Sequence, residues 1–391
     1  MRFCRVHGHF RYSARVNSTI RRSWCRKFLI ANLAFLLVAG AALGQDDSLR
    51  ALLDKATAGD VAAQLAIAKK YDNGDGVPEN TEKAAYWFRK AAEQGNADAQ
   101  NSLGVCYRMG RGVDKDPAEA MKWYRLAAAQ GNPSAFFNLG AAYYNGDSAA
   151  IDDRAAYIWF WLAKHAGVDR GAEAVARMEK ELSPEALVRD RLFLAQQLAS
   201  GALGKPEPEQ AIAIYDDLAS QGNPSALIRL AKIYLDGKVV PKDVARGESY
   251  CQRAADLKYS AGLVCLGFLF QTGIHGPDRS GEAIKLYEQA FELGGDPVAA
   301  YSLGVMYAKG TGVRQDLPKA YVWFAVAASS RLQEASQARD VVSSRLDPKQ
   351  IKKLGQEAQS KITKYYSTPH KGPSPADGEQ FALAVKLDSV P

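Results

Sequence analysis

The sequence predicts an all-α chain: a right-handed α/α solenoid of about seven helical hairpins in two sub-arrays, each ending in a capping helix. Three observations carry this reading. Trp87, Trp123 and Trp159 fall at one interval of 36 residues, and the positions around them recur in the same register. Within each copy the apolar residues are spaced by three and four, as one face of an amphipathic helix requires. Between the two apolar sets of each copy stands a glycine turn.

The first helix of each hairpin follows from the columns Ala63/Ala99/Ala135, Ile67/Leu103/Leu139, Ala68/Gly104/Gly140, Tyr71/Tyr107/Tyr143 and Gly74/Gly110/Gly146. The second follows from Ala84/Ala120/Ala156, the tryptophans, Phe88/Tyr124/Phe160 and Ala91/Ala127/Ala163. Ala or Gly in the column of Gly104 lets the second helix approach closely, and the aromatic pair fills the space between hairpins. Trp87, Trp123, Trp159 and their later counterpart Trp323 are therefore expected in the structural core. Gly74 and Gly110 stop the first helix in the left-handed conformation that glycine adopts without strain.

The pattern returns more loosely at Ala226, Leu230, Ala231, Tyr234 and Gly237, at Gly262, Leu266, Gly267, Phe270 and Gly273, and at Ala299, Leu303, Gly304, Tyr307 and Gly310. The last copy carries one extra residue near Gly294 and Gly295. A worn copy surrounds Leu194, Ala195, Leu198 and Gly201. A longer recurrence maps Ala156, Trp159, Phe160, Leu182 and Pro184 onto Ala320, Trp323, Phe324, Leu346 and Pro348, always 164 residues on. It implies two sub-arrays, 45–182 and 183–366. Ser183-Pro184 and Asp347-Pro348 read as N-caps with proline at the first helical position, placing helices at about 185–199 and 348–365. The first doubles as the opening helix of the second sub-array; the last closes it with a polar face of Lys352, Lys353, Gln356 and Lys361.

The strings LGVCYRMGRGVDKDPAEAMKWYRLAAAQGN and LGVMYAKGTGVRQDLPKAYVWFAVAA resemble Sel1-like repeats, relatives of the tetratricopeptide repeat, over about 49–366. The resemblance implies a curved surface offered to partners and no reaction; the family contains bacterial periplasmic and secreted adaptors.

The ends differ in kind. Eight basic residues and no acid precede an apolar run from Phe28 to Leu43. That is a secretory leader, 1–44, with Ala42-Leu43-Gly44 setting cleavage before Gln45. The alternative is an uncleaved inner-membrane anchor. From Gln45 on, the remaining 42 Lys and Arg face 43 Asp and Glu, so the basic pI of the whole chain is no argument for nucleic acid. The tail 367–391, with Pro369, Pro373 and Pro375, reads as disordered, although FALAVKL at 381–387 is apolar enough to dock. The expected location is periplasmic or secreted, with no stable membrane span after leader cleavage.

Little in the chain suggests chemistry. His165, His275 and His370 stand far apart and at no ligand spacing, so neither metal nor cofactor is expected. Gly110/Gly112 and Gly310/Gly312 lack the strand and GK[ST] of a phosphate loop and are turns. Asp114, Asp116 and Glu119 suit a helix N-terminus. No Ser-x-x-Lys follows the leader, which disfavours a β-lactam-interacting hydrolase. Cys106, Cys251 and Cys265 are odd in number. Cys251 and Cys265 fall on neighbouring helices, so a bridge or two buried thiols are both open.

The expected function is a non-enzymatic scaffold, adaptor or regulator that binds a protein or peptide partner of the cell envelope in its concave groove. Transferred tetratricopeptide geometry makes Lys69, Asn101, Arg108, Phe137, Tyr144, Lys232, Phe268, Gln271 and Tyr301 the inward positions. The alternative is a protein associated with peptidoglycan or exopolysaccharide, with Tyr144 and Tyr301 as exposed sugar platforms.

Overall fold

The computed structural model describes residues 47–366 apart from 148, 149, 204 and 275–278, and all regular structure among them is α-helical. The leader and its cleavage site, the tail with FALAVKL, His275 and His370 lie outside the described residues.

The helices form two compact units divided between Glu181 and Leu182. Unit 1 holds α1 (47–57), α2 (Val61–Asn73), α3 (Thr81–Glu93), α4 (Ala97–Met109), α5 (Pro117–Ala129), α6 (Pro133–Asn145), α7 (Asp153–His165) and α8 (Asp169–Glu181). Unit 2 holds α9 (Pro184–Ser200), α10 (Pro208–Ser220), α11 (Pro224–Asp236), α12 (Val244–Asp256), α13 (Ser260–Thr272), α14 (Ser280–Gly294), α15 (Pro297–Lys309), α16 (Leu317–Ala328), α17 (Gln333–Ser343) and α18 (Pro348–Tyr366). From α2 to α8 and from α9 to α17 each helix packs on the next, and α18 packs back on α16.

Helix ends obey the sequence chemistry. Asn96, Asn132 and Asn223 cap α4, α6 and α11 by accepting the N–H of Ala99, Ala135 and Ala226, each at 2.9 Å. Asp116 does the same for Glu119 at the start of α5 (3.0 Å), so the acidic cluster there is a cap. Ser183 caps α9 through Ala186, and Asp347 caps α18 through Lys349. Gly110 ends α4 with φ 71°, in the left-handed region. Gly112, φ 70°, has a second duty: a Cβ there would overlap the Thr81 carbonyl. The turn of one hairpin is thus pressed onto the second helix of the hairpin before it.

Close packing explains the small-residue column. A Cβ on Gly104 would stand 2.6 Å from Cε1 of Tyr124, and one on Gly304 would stand 2.6 Å from Phe324. Tyr124, Phe160 and Phe324 are accordingly almost fully buried. The tryptophans are not: Trp87, Trp123, Trp159 and Trp323 are half-buried, packed against the sides of the clusters. The fully buried rings at the centre are their neighbours Phe88, Tyr124, Phe160 and Phe324, and the tryptophans pack against the clusters these form. Each tryptophan stands one residue before the ring that fills the gap above a Gly or Ala, about 100° round the helix, and so faces the side of the cluster instead.

Buried glutamines tie unit 1 together. Gln64 Nε2 donates to the Ala56 carbonyl (3.1 Å) while its Oε1 accepts from Gln94 Nε2 (2.8 Å). One repeat later Gln100 Nε2 donates to Ala92 (3.2 Å) and its Oε1 accepts from Gln130 Nε2 (2.8 Å).

The 164-residue recurrence has a structural counterpart: α7, α8 and α9 correspond to α16, α17 and α18. The helix α8 was not read from the sequence as an element of its own. It continues the 36-residue register, with Gly171 and Val175 in the columns of Ala135 and Leu139, and both are buried. It is a first helix whose partner is missing.

Candidate functional site

The first-helix faces of the two units differ. In unit 1, α2 leaves Lys69 exposed and α4 presents half-buried Asn101 and Arg108. Asn138 on α6 donates from Nδ2 to Asn101 Oδ1 at 2.8 Å, joining the two faces. Arg108 makes no ion pair among the described residues, and its Nε is buried without a partner. Its guanidinium meets the buried Tyr124 Oη, whose own proton has no acceptor among the described residues. Burial pushes the Tyr124 hydroxyl up to about 12, so it is a neutral donor at physiological pH.

Phe137 and Tyr144 on α6 are occupied by the chain itself. The guanidinium of Arg170 sits 4.3 Å from the centre of the Phe137 ring, and that of Arg177 sits 4.9 Å from the centre of the Tyr144 ring. Tyr144 Oη donates to Glu181 Oε2 at 2.9 Å, which holds its proton and shifts the phenol upward. Arg170, Arg177 and Glu181 all belong to α8, so α8 covers the two aromatics that the sequence reading offered to a partner. The persistence of the 36-residue register into Gly171 and Val175 was the signal that would have revealed it.

Unit 2 is more apolar on the corresponding face. Lys232 on α11 is exposed and Phe268 on α13 is half-buried. Gln271 Oε1 is engaged by Tyr287 Oη at 2.9 Å. Tyr301 is only 6% exposed, with its ring 5.6 Å from that of Phe324 and its hydroxyl buried without a partner. The expectation of an exposed sugar platform at Tyr301 is corrected: on α15 the whole stretch from Ala299 to Ala308 is buried.

Cys251 and Cys265 are joined by a disulfide with Cα atoms 5.7 Å apart. The bridge lies where other hairpins set a second-helix aromatic against the next first helix. The equivalent positions are Phe88 and Ser102, Tyr124 and Asn138, Tyr215 and Arg229, and Tyr287 and Ser302. Both cysteines are fully buried. Cys106 is a buried free thiol, pushed up to about 11 by desolvation.

An open cleft of about 590 Å³ is lined by Tyr307, Val313, Asp316, Lys319, Leu346 and Gln350, and includes none of the expected partner-binding residues. Among the described residues no His/Cys/Asp/Glu group is arranged to hold a metal ion, and no helix is long and apolar enough to cross a membrane.

Comparison with known proteins bears on this arrangement. AlgK of Azotobacter vinelandii, an alginate biosynthesis protein, is 33% identical over 100 residues, 26% of this chain and 21% of that protein. AlgK of Pseudomonas syringae pv. tomato is 26% identical over 128 residues, 33% and 27% of the two chains. The chain thus spans about a quarter of the length of these curated relatives. Among solved structures, a protective antigen of uropathogenic Escherichia coli with an SLR fold matches at 23% identity and TM-score 0.36, covering 80% of this chain and 86% of that one. A Sel1 repeat protein of Oxalobacter formigenes matches at 28% identity and TM-score 0.36, covering 75% and 79%. The Sel1 repeat model matches residues 61–96, 97–132, 133–168, 224–259, 266–295 and 297–331. The gap between its third and fourth matches holds α8, α9 and α10, where the register is kept by few residues. With six matched segments covering more than half of its length, the chain belongs to the Sel1 repeat family.

Proposed function

We propose that this chain is a non-enzymatic interaction scaffold of the bacterial cell envelope, exported by a leader at 1–44 that is removed before Gln45, and that it holds a segment of a partner protein on its first-helix faces. Sel1 repeats build a protein-interaction fold, and family membership supports the class of function. The observation that carries the placement is the chemistry left over on α2 and α4 once the hairpins have packed. Lys69, Asn101 and Arg108 are accessible, polar and not consumed by intrachain ion pairs. Phe137 and Tyr144 contribute only where α8 leaves them open.

A second reading is favoured by the relatives named for alginate biosynthesis: the partner belongs to machinery that makes or exports an envelope polysaccharide. Affinity capture from an envelope extract, with mass spectrometry of what is retained, tests both. Specific retention of a protein that is released by changes at Lys69 and Asn101 supports the scaffold. Retention of polysaccharide with no protein, or loss of capture only through changes on the second helices, overturns it.

A further inference from the structure

The face of unit 1 contains a cation that the fold does not use. Its origin is a break in the repeat. Asp72 and Arg111 form an ion pair of 3.1 Å between successive hairpins. One repeat on, the charges at these two positions are exchanged, to Arg108 and Asp147, and the pair does not close. Arg108 is left with no carboxylate among the described residues and its Nε is buried without an acceptor; its guanidinium meets only the buried Tyr124 hydroxyl, whose own proton lacks an acceptor too. An unused N–H on a cation and an unused O–H beside it are a strong demand for an anion, because a buried donor without an acceptor costs more than the bond it would make.

Two turns earlier on α4, about 10 Å away along the axis, the Asn101–Asn138 bond leaves Asn101 Nδ2 and Asn138 Oδ1 accessible and unpaired. A free N–H beside a free C=O complements a peptide group. An extended peptide covers the distance to Arg108 in about three residues. We infer that Arg108 and Tyr124 form a carboxylate receptor for an acidic side chain of an extended peptide, whose main chain is held by Asn101 and Asn138. Asp147, the only acid that the repeat register sets opposite Arg108, competes with that side chain for the guanidinium.

The inference rests on the scaffold reading and names the chemistry of the segment that α4 and α6 select. Its test uses the full exported chain and a capped nonapeptide with glutamate at every third position, compared by calorimetry at low salt with its glutamine counterpart. The glutamate peptide binds, and the glutamine peptide binds at least about tenfold more weakly, the difference a charge-assisted hydrogen bond supplies. Arg108→Gln abolishes that preference, Arg108→Lys keeps part of it, and Asp147→Asn tightens binding. Arg177→Gln and Lys285→Gln leave it unchanged, and circular dichroism confirms that each variant is folded. Equal affinity for both peptides, or an unaltered preference in Arg108→Gln, overturns the inference. So does binding of an oligouronate through Arg108 when the glutamate peptide does not bind. If Arg108→Gln still captures the envelope partner, the scaffold stands and only this receptor falls.

Discussion

Removing the Cys251–Cys265 bridge gives the sharpest test of how unit 2 is held together. The bond closes a loop over a separation of 14 residues, and freeing such a loop in the unfolded chain costs about 3 kcal/mol of stability. For a unit of this size each kcal/mol moves the transition by about 2–4 °C, so Cys251→Ala with Cys265→Ala lowers Tm by about 6–12 °C. The units can be followed separately. Among the described residues Trp87, Trp123, Trp159 and Trp161 belong to unit 1 and only Trp323 to unit 2. Far-ultraviolet circular dichroism therefore shows the shift, whereas the tryptophan emission transition, dominated by unit 1, stays almost in place. A rescue follows from the repeat itself. Opposite Cys251 the small column holds Ala231, and at the equivalent joint Ala68 faces Phe88 with Ser102 on the next helix. Cys251→Phe with Cys265→Ser rebuilds that joint and recovers part of the loss. A double-Phe/Ser variant less stable than the double-Ala one, or a double-Ala variant that melts with the native chain, would refute the view that bridge and aromatic are alternative fillings of one joint.

Other outcomes follow from the same packing. Asp296 caps α15 from a fully buried site, accepting from the Val298 and Ala299 N–H groups and from Ser260, and desolvation raises its carboxyl above the usual range. Its ionisation therefore opposes folding: the stability it contributes is full below the unfolded carboxylate pKa and is lost as pH rises toward the folded one. Asp296→Asn, the residue at the equivalent caps Asn96, Asn132 and Asn223, should raise the urea midpoint of unit 2 at pH 7 and flatten its fall as pH rises above the ordinary carboxylate range. Gly104→Ala drives a methyl into the Tyr124 ring and should cost about 1–3 kcal/mol by chemical denaturation. Gln100→Leu strands the Gln130 amide and the Ala92 carbonyl and should cost about 1–3 kcal/mol, measured the same way. Tyr144→Phe removes one bond to Glu181 at the surface, and a loss above about 1 kcal/mol would show that α8 is anchored by that bond rather than by Ala174, Val175 and Met178.

The hairpins were legible because their constraints are local and repeated. A glycine that must turn left-handed, a small residue that must admit a ring and an asparagine or aspartate that must cap recur at fixed spacing, and each is a single-residue requirement. The extra residue near Gly294 is equally local: α14 runs to Gly294 and is capped by Gly295, φ 69°. The face residues were harder to read, because exposure depends on what lies across from a position and not on its column. Tyr301 and Phe137 share a column, yet one is inside a cluster and the other lies under an arginine. Arg108 stands out by its position, but the absence of a carboxylate partner for it depends on Asp147 staying apart, which no periodicity encodes.

The glutamine bonds of unit 1 also set a grammar for recombination. Gln94 and Gln130 reach back to Gln64 and Gln100 within their own hairpins, while Gln64 and Gln100 reach out to the Ala56 and Ala92 carbonyls of the element before. Both amides of a pair therefore travel together, and all they ask of the neighbour is a main-chain carbonyl, which every residue carries. In unit 2 the counterpart of Gln100 is Leu227, and the Ala219 carbonyl, counterpart of Ala92, accepts from Arg253 Nη2 at 3.1 Å instead. Each hairpin thus brings its own donor for the carbonyl before it, glutamine in one unit and arginine in the other, and these bonds leave duplication and exchange of hairpins open.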